Sequence, residues 1–266
     1  MCINPISLKG PERTVPCGKC MECRKRKVSG WSFRLMQEDK ISTSSHFITL
    51  TYDTNKVPIT NKGYMSLEKR DLQLFFKRLR KSHIKNSGTI KYYAVGEYGG
   101  KTWRPHYHII LFNADIKLIQ SAWNNGQVHY GNITEASVGY TLKYISKPGK
   151  IPQHKKDDRQ KEFTLCSKKL GANYLDGGLP EWHKSDLENR CYTNLTDGKK
   201  GAMPRYYSDK LYTKEEKERI VNNQINRMAA RIIKSDPFNA RNIHNTREYK
   251  KAAVEHLLKP DSKNKI

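Results

Sequence analysis

Thr89–Tyr98 (TIKYYAVGEY) and Arg104–Phe112 (RPHYHIILF) are two runs rich in β-branched and aromatic residues, separated by a turn region that contains Gly99-Gly100. Runs of this composition on either side of a glycine pair predict an antiparallel hairpin. Residues two apart on a strand face the same way, so His106 and His108, which flank Tyr107, direct two imidazoles to one side. Glu97 lies on the neighbouring strand. The hairpin sets it opposite or diagonal to His106, and the register is not fixed by sequence. Two imidazoles and a carboxylate suit a divalent cation that keeps open positions for substrate and water. Taken alone, a His-x-His pair also describes histidines on the surface of an edge strand.

Outward from the hairpin, the pattern alternates between strand and helix. His46–Asp53 (HFITLTYD) has a period of two and predicts a strand. Ser66-Leu67-Glu68-Lys69 resembles a capped start, and Leu67, Leu72, Leu74, Phe75 and Leu79 extend a helical stripe to Lys81. After the hairpin, Asp115–Trp123 has helical spacing, Gln127–Thr134 suits a short strand, and Glu135–Lys147 reads as a helix ended by Pro148-Gly149. This order predicts an α+β fold in which helices cover one face of an antiparallel sheet. Further helices are expected at Trp31–Lys40, Thr213–Lys234 and Arg247–Leu258. Lys150–Lys200, polar and without periodicity, reads as mostly loop, and Lys259–Ile266 as a disordered basic tail. The expected organisation is a Cys-rich basic extension over 1–45, a catalytic core over 46–148 and a basic carboxy-terminal extension over 149–266.

Lys and Arg number 50 against 26 Asp and Glu, a net charge of +24. That excess calls for a polyanionic partner. No apolar run approaches the roughly 18 residues that span a bilayer, which excludes membrane insertion as the explanation. Met1–Val15 lacks the pattern of a secretory signal, so the chain is expected to stay in the reducing cytosol where it is made. Basic runs at Lys19–Lys27, Lys77–Lys85, Lys155–Lys169 and Lys199–Lys210, with Trp31, Tyr206 and Tyr207 nearby, combine phosphate neutralisation with base stacking. That pairing fits single-stranded nucleic acid.

Six cysteines in a cytosolic chain of this size are expected as thiols or metal ligands rather than disulfides. Cys17, Cys20 and Cys23 have ligand spacing, and Cys2 could complete a tetrahedral Zn²⁺ site. Free thiols, or a ligand set completed elsewhere, remain the alternative.

Tyr140 and Tyr144 are four residues apart on the expected helix and share a face, with Lys143 and Lys147 three residues beyond them. An ordinary phenol has a pKa near 10, so nucleophilic attack at neutral pH needs a base, a cation or a polarised electrophile close by. Aromatic packing is the alternative role for such a pair.

Phe47-Ile48-Thr49-Leu50-Thr51-Tyr52, Arg104–Phe112 and Tyr140–Lys147 resemble, in this order, the three motifs of replication initiators in the HUH endonuclease superfamily. With Gly96-Glu97-Tyr98 and Pro204-Arg205-Tyr206-Tyr207, the chain closely resembles the initiators of gokushovirus-type microviruses, over about 46–148 and more loosely in the flanks. The resemblance implies a ferredoxin-like HUH core that nicks a single-stranded replication origin. It implies Mg²⁺ or Mn²⁺ on His106, His108 and Glu97, and Tyr140 or Tyr144 as nucleophile with Lys143 and Lys147 as charge stabilisers. DNA contacts would come from Arg104, Arg205, Tyr206 and Tyr207. It further implies a 5′-phosphotyrosine, a free 3′-hydroxyl for host replication proteins, and action in the cytoplasm of a bacterial host. Two other readings stay open: a relaxase or transposase of the same superfamily, and a non-catalytic, zinc-stabilised nucleic-acid-binding protein.

Overall fold

The computed structural model describes residues 2–8, 13–83, 88–133, 138–139, 141–142, 151–195 and 198–235. The chain divides into two compact units, residues 31–176 and residues 1–30 with 177–266. The first takes in more than the expected 46–148 core.

The larger unit is built on a five-stranded antiparallel sheet. Its strands are β3 (Ser45–Thr51), β4 (Lys91–Tyr98), β5 (Pro105–Phe112), β6 (Val128–Gly131) and β7 (Phe163–Cys166), in the spatial order β6-β3-β5-β4-β7. The expected hairpin is the β4–β5 pair. β7 falls in the stretch expected to be loop. Its four residues are too few to show a period, and the segment before it is ordered by polar contacts. Gln160 accepts from the Lys69 amide at 2.8 Å, donates to Ser66 Oγ at 3.0 Å, and takes the Tyr98 hydroxyl on its carbonyl at 2.7 Å.

Alternation along the strands gives the sheet two different faces. Ile48, Leu50, Ala94, Tyr98, Tyr107, Ile109 and Leu111 point into one core. Helix α2 (Lys69–Ser82) covers that face with Leu72, Phe75, Phe76 and Leu79, and α3 (Ile116–Ala122) adds Ile119 and Ala122. Each helix starts at a carboxylate that accepts from a backbone amide of the first turn: Glu68 from Arg70 at 2.8 Å, and Asp115 from Lys117 at 2.9 Å. Acidic Asp71 in the first turn of α2 and basic Arg80 and Lys81 in its last also suit the helix dipole.

The other face is also covered, which differs from the one-sided layer expected. Helix α1 (Met21–Ile41) starts ten residues before the expected Trp31–Lys40 helix. Its Trp31 ring lies 4.8 Å from that of Tyr93, and buried Glu38 pairs with Lys91 at 2.7 Å. Both contacts are at the start of β4. They leave the end that carries Glu97 to a different task.

In the other unit, β1 (Ile6–Leu8) pairs with β2 (Arg13–Val15), and β8 (Tyr192–Asn194) with β9 (Lys200–Ala202). Its helices, besides the start of α1, are α4 (Leu179–Lys184), α5 (Arg205–Leu211) and α6 (Lys214–Ser235). α6 matches the helix expected over Thr213–Lys234. The expected helix at Arg247–Leu258 and the basic tail lie outside the described residues. Among the described residues, no helix is long and apolar enough to cross a membrane.

Candidate metal centre

The β4–β5 register puts Glu97 directly opposite His106 and Val95 opposite His108. Partners across a ladder share a face, so Glu97 and both histidines project from the side turned away from α2. Tyr107 takes the opposite side. Its hydroxyl accepts from the Glu68 amide and donates to the Glu68 carbonyl, both at 2.9 Å, and lies 2.8 Å from the Tyr52 hydroxyl. One strand therefore supplies two candidate ligands to the site and an anchor for the start of α2.

Glu97 Oε1 is 2.7 Å from His106 Nε2 and 3.1 Å from His108 Nε2. Glu97 and His108 are buried, and His106 is half-buried. Burial opposes ionisation of the carboxyl. Hydrogen bonds from the two rings, together with their charge, outweigh it and hold the Glu97 pKa at about 2.

The far nitrogens of the two rings are tied down as well. His106 Nδ1 is 3.2 Å from the Arg104 carbonyl, and His108 Nδ1 is 3.0 Å from Thr49 Oγ1. A carbonyl only accepts, so His106 Nδ1 carries a hydrogen. In the neutral ring Nε2 then offers a lone pair to whatever lies between it and the carboxylate. Either a proton or a cation must sit there, because two acceptors do not hold each other at 2.7 Å. Three donor atoms within 4.8 Å of one another, with the ring nitrogens held from behind, fit a divalent ion. Thr49 was not singled out from the sequence. The signal was its place two residues after Phe47 in an alternating strand; the register puts it opposite His108, and the Phe47 ring stacks on the His108 ring at 6.0 Å.

Tyr140, Lys143, Tyr144 and Lys147 lie outside the described residues. Around them, Val138, Gly139, Thr141 and Leu142 are helical, and Val138, Thr141 and Leu142 are buried. Arg104 donates to the Tyr52 carbonyl at 2.5 Å, bracing the exit of β3 next to the centre. In the other unit, Arg205 is exposed and pairs with Asp209 at 3.2 Å, and Tyr206 receives Lys210 over its ring at 5.3 Å. Tyr207 is fully buried, which gives its ring a packing role and leaves no open face for a base.

A second convergence of ligands is found at Cys2, Cys17, Cys20 and Cys23, whose sulfurs all lie within 4.8 Å of one another. Cys166 and Cys191 stand apart, and none of the six cysteines is in a disulfide.

The segment that carries the Glu-His-His centre also decides the relationship of the chain to known proteins. Residues 45–149 match the profile of the phage replication family described as Replication-associated protein ORF2. This segment is similar to that family. Beyond the matched residues, the chain is 29% identical over 220 residues to Replication-associated protein VP4 of Bdellovibrio phage phiMH2K, covering 73% of the chain and 66% of that protein. It is 28% identical over 240 residues to Replication-associated protein ORF2 of Spiroplasma virus 4, covering 78% and 74%. With Replication-associated protein ORF4 of Chlamydia phage 1 it shares 26% over 223 residues, or 74% and 53%. The chain thus spans between about half and three quarters of the lengths of these replication-associated relatives. No solved structure matches it.

Proposed function

We propose that the protein initiates DNA replication by cutting a single-stranded origin through tyrosine transesterification and later rejoining the strand. The observation that carries this reading is the convergence of Glu97 Oε1, His106 Nε2 and His108 Nε2 on one sheet face, inside the segment matched by the replication-associated family. The net charge of +24 supports a polyanionic partner for the whole chain.

Glu97, His106 and His108 would hold Mg²⁺ or Mn²⁺. When bound, such an ion supplies Lewis-acid charge to a phosphodiester oxygen. The chain contributes the rest. The Arg104 carbonyl and Thr49 hydroxyl keep both rings oriented, and the carboxylate stays ionised at any physiological pH. A tyrosine hydroxyl then attacks phosphorus. The phenol gives up its proton to solvent, its oxygen bonds to the 5′ phosphate, the bond to the 3′ oxygen breaks, and that oxygen leaves as a hydroxyl after taking a proton back from solvent. Tyr107 is unsuited to this role: it faces the helix side, and burial pushes its pKa above that of an ordinary phenol. Tyr52 and Tyr98 are likewise buried with raised pKa values.

The resemblance of Tyr140–Lys147 to the two-tyrosine motif of replication initiators makes Tyr140 and Tyr144 the proposed nucleophiles, with Lys143 and Lys147 offsetting phenolate or phosphate charge. Two tyrosines allow two exchanges, so a strand can be opened and a circle closed without a nucleoside triphosphate. The exposed 3′-hydroxyl would be extended by a polymerase of the bacterial host, in its cytoplasm, and Arg205 and Tyr206 would add contacts to the strand.

The test is to incubate the full chain with circular single-stranded phage DNA and Mn²⁺, then digest and map any covalent nucleotide adduct by mass. The expected product is an adduct on Tyr140 or Tyr144 that chelation abolishes and that the Tyr140→Phe/Tyr144→Phe variant does not form. Retention of DNA by the wild type without any adduct would replace this reading with that of a non-catalytic binder.

A further inference from the structure

We propose that Cys2, Cys17, Cys20 and Cys23 form a closed tetrathiolate site for one structural Zn²⁺, which fastens the amino-terminal strand to the head of α1. The site belongs to a different compact unit from Glu97, His106 and His108, and it is independent of the nicking chemistry.

The spacing of the sulfurs is that of a single ion. A Zn–S bond of about 2.3 Å in a tetrahedron puts neighbouring sulfurs about 3.8 Å apart. Cys2 Sγ and Cys20 Sγ are 3.9 Å apart. A disulfide would need about 2.05 Å. The clustering of all four within 4.8 Å also leaves room for one metal centre rather than a cluster of several irons.

The backbone is shaped around the sulfurs. Pairing of β1 with β2 sets Ile6 opposite Val15; continued outward, the ladder would carry Cys2 to the level of residue 19, between Cys17 and Cys20. Gly18 makes the turn between those two cysteines with φ +71, a conformation that side chains rarely adopt. The amide of Cys17 points at Cys2 Sγ at 3.2 Å, and those of Lys19 and Cys20 point at Cys17 Sγ at 3.4 and 3.3 Å. Amides aimed at sulfur stabilise thiolates, and Cys23 sits in the first turn of α1, one turn after Cys20. Four thiolates around a dication leave the centre dianionic, and Arg24, Lys25, Arg26 and Lys27 follow at once in α1.

Packing does not explain why this segment is held. β1 and β2 have three residues each, and Ile6 and Leu8 are 49% and 45% exposed. So small a hairpin with its apolar side chains in solvent has too little buried surface to persist alone. A metal joining its two ends supplies the missing constraint.

The experiment measures metal in the purified full chain by elemental mass spectrometry after a weak chelator has removed loosely held ions. One zinc per chain is expected in the wild type and in His106→Ala/His108→Ala, and none in Cys17→Ser/Cys20→Ser. Because loss of two cysteines can also unfold the chain for other reasons, a second measurement uses the wild type alone. Zinc is exchanged for Co²⁺, which should give thiolate-to-cobalt charge-transfer absorption saturating at one cobalt per chain and bleached by added Zn²⁺. The proposal is overturned if the protein holds iron or no metal and its cobalt form lacks that absorption, or if the zinc follows the histidine pair. Neither readout involves DNA or Tyr140 and Tyr144, so its failure would leave the nicking reading standing.

Discussion

Glu97 and His106 are cross-strand partners, and Glu97 Oε1 lies 2.7 Å from His106 Nε2 while His106 Nδ1 faces the Arg104 carbonyl. The carbonyl requires a hydrogen on Nδ1, so Nε2 faces the carboxylate either as the second N–H of a protonated ring or as a lone pair that shares a cation with it. His108 Nε2 lies 3.1 Å from the same carboxylate oxygen, and the Thr49 hydroxyl behind its Nδ1 holds the ring and can serve either tautomer.

Thr49→Val removes the group behind His108 while keeping the shape of the side chain. Loss of such a support weakens metal binding by about 10-fold or more. Mn²⁺ titration calorimetry should show this drop, with the unfolding midpoint close to that of the wild type.

Tyr107→Phe strips the hydroxyl that joins Glu68 and Tyr52 and strands buried polar groups. It should destabilise the fold by about 1–3 kcal/mol in denaturant titrations. Mn²⁺ affinity should be retained, because the hydroxyl lies on the helix side of the sheet.

Gly126→Ala tests a close backbone approach. A Cβ at this position would collide with the Thr51 carbonyl oxygen and the Asp53 amide, at the end of β3 beside the centre. Backbone on both sides leaves little room to yield, so thermal unfolding should report a loss of about 1–3 kcal/mol or more.

Acid stability should reveal the Glu97 carboxylate. Its pKa in the folded chain is about 2, below the ordinary 4.5, so the ionised group stabilises the fold fully above about pH 4.5. That contribution disappears as the pH falls from there towards 2. In chelator-treated protein, Glu97→Gln should flatten the decline in stability over this window; an unchanged slope would place the acid-sensitive group elsewhere.

Much of this was legible in the sequence, for reasons that can be named. Period-two runs and the Gly99-Gly100 turn region revealed β4 and β5, and the spacing of Leu72, Phe75 and Leu79 revealed α2. The His-x-His pair fixed a shared face. Which side of the Glu97 register applied depended on the turn geometry, where Gly99 donates to the Arg104 carbonyl at 3.0 Å. β7 was hidden because its segment is ordered by Gln160 and by Arg159, whose guanidinium sits over the rings of Tyr64, Tyr98 and Trp103, and not by an apolar period. The start of α1 was hidden by its run of Arg24–Lys27, which has no apolar stripe to betray a helix. Tyr207 looked available for stacking because a Tyr-Tyr pair does not tell which ring its helix will bury.

The most direct measurement is a Mn²⁺ titration of the full chain and of His106→Ala/His108→Ala, read by electron paramagnetic resonance alongside nicking of single-stranded origin DNA. The wild type should hold one Mn²⁺ that the double variant lacks, and nicking should fall by about 100- to 1,000-fold, as when a group stabilising transition-state charge is removed. Equal Mn²⁺ binding and equal nicking by the double variant would contradict the account.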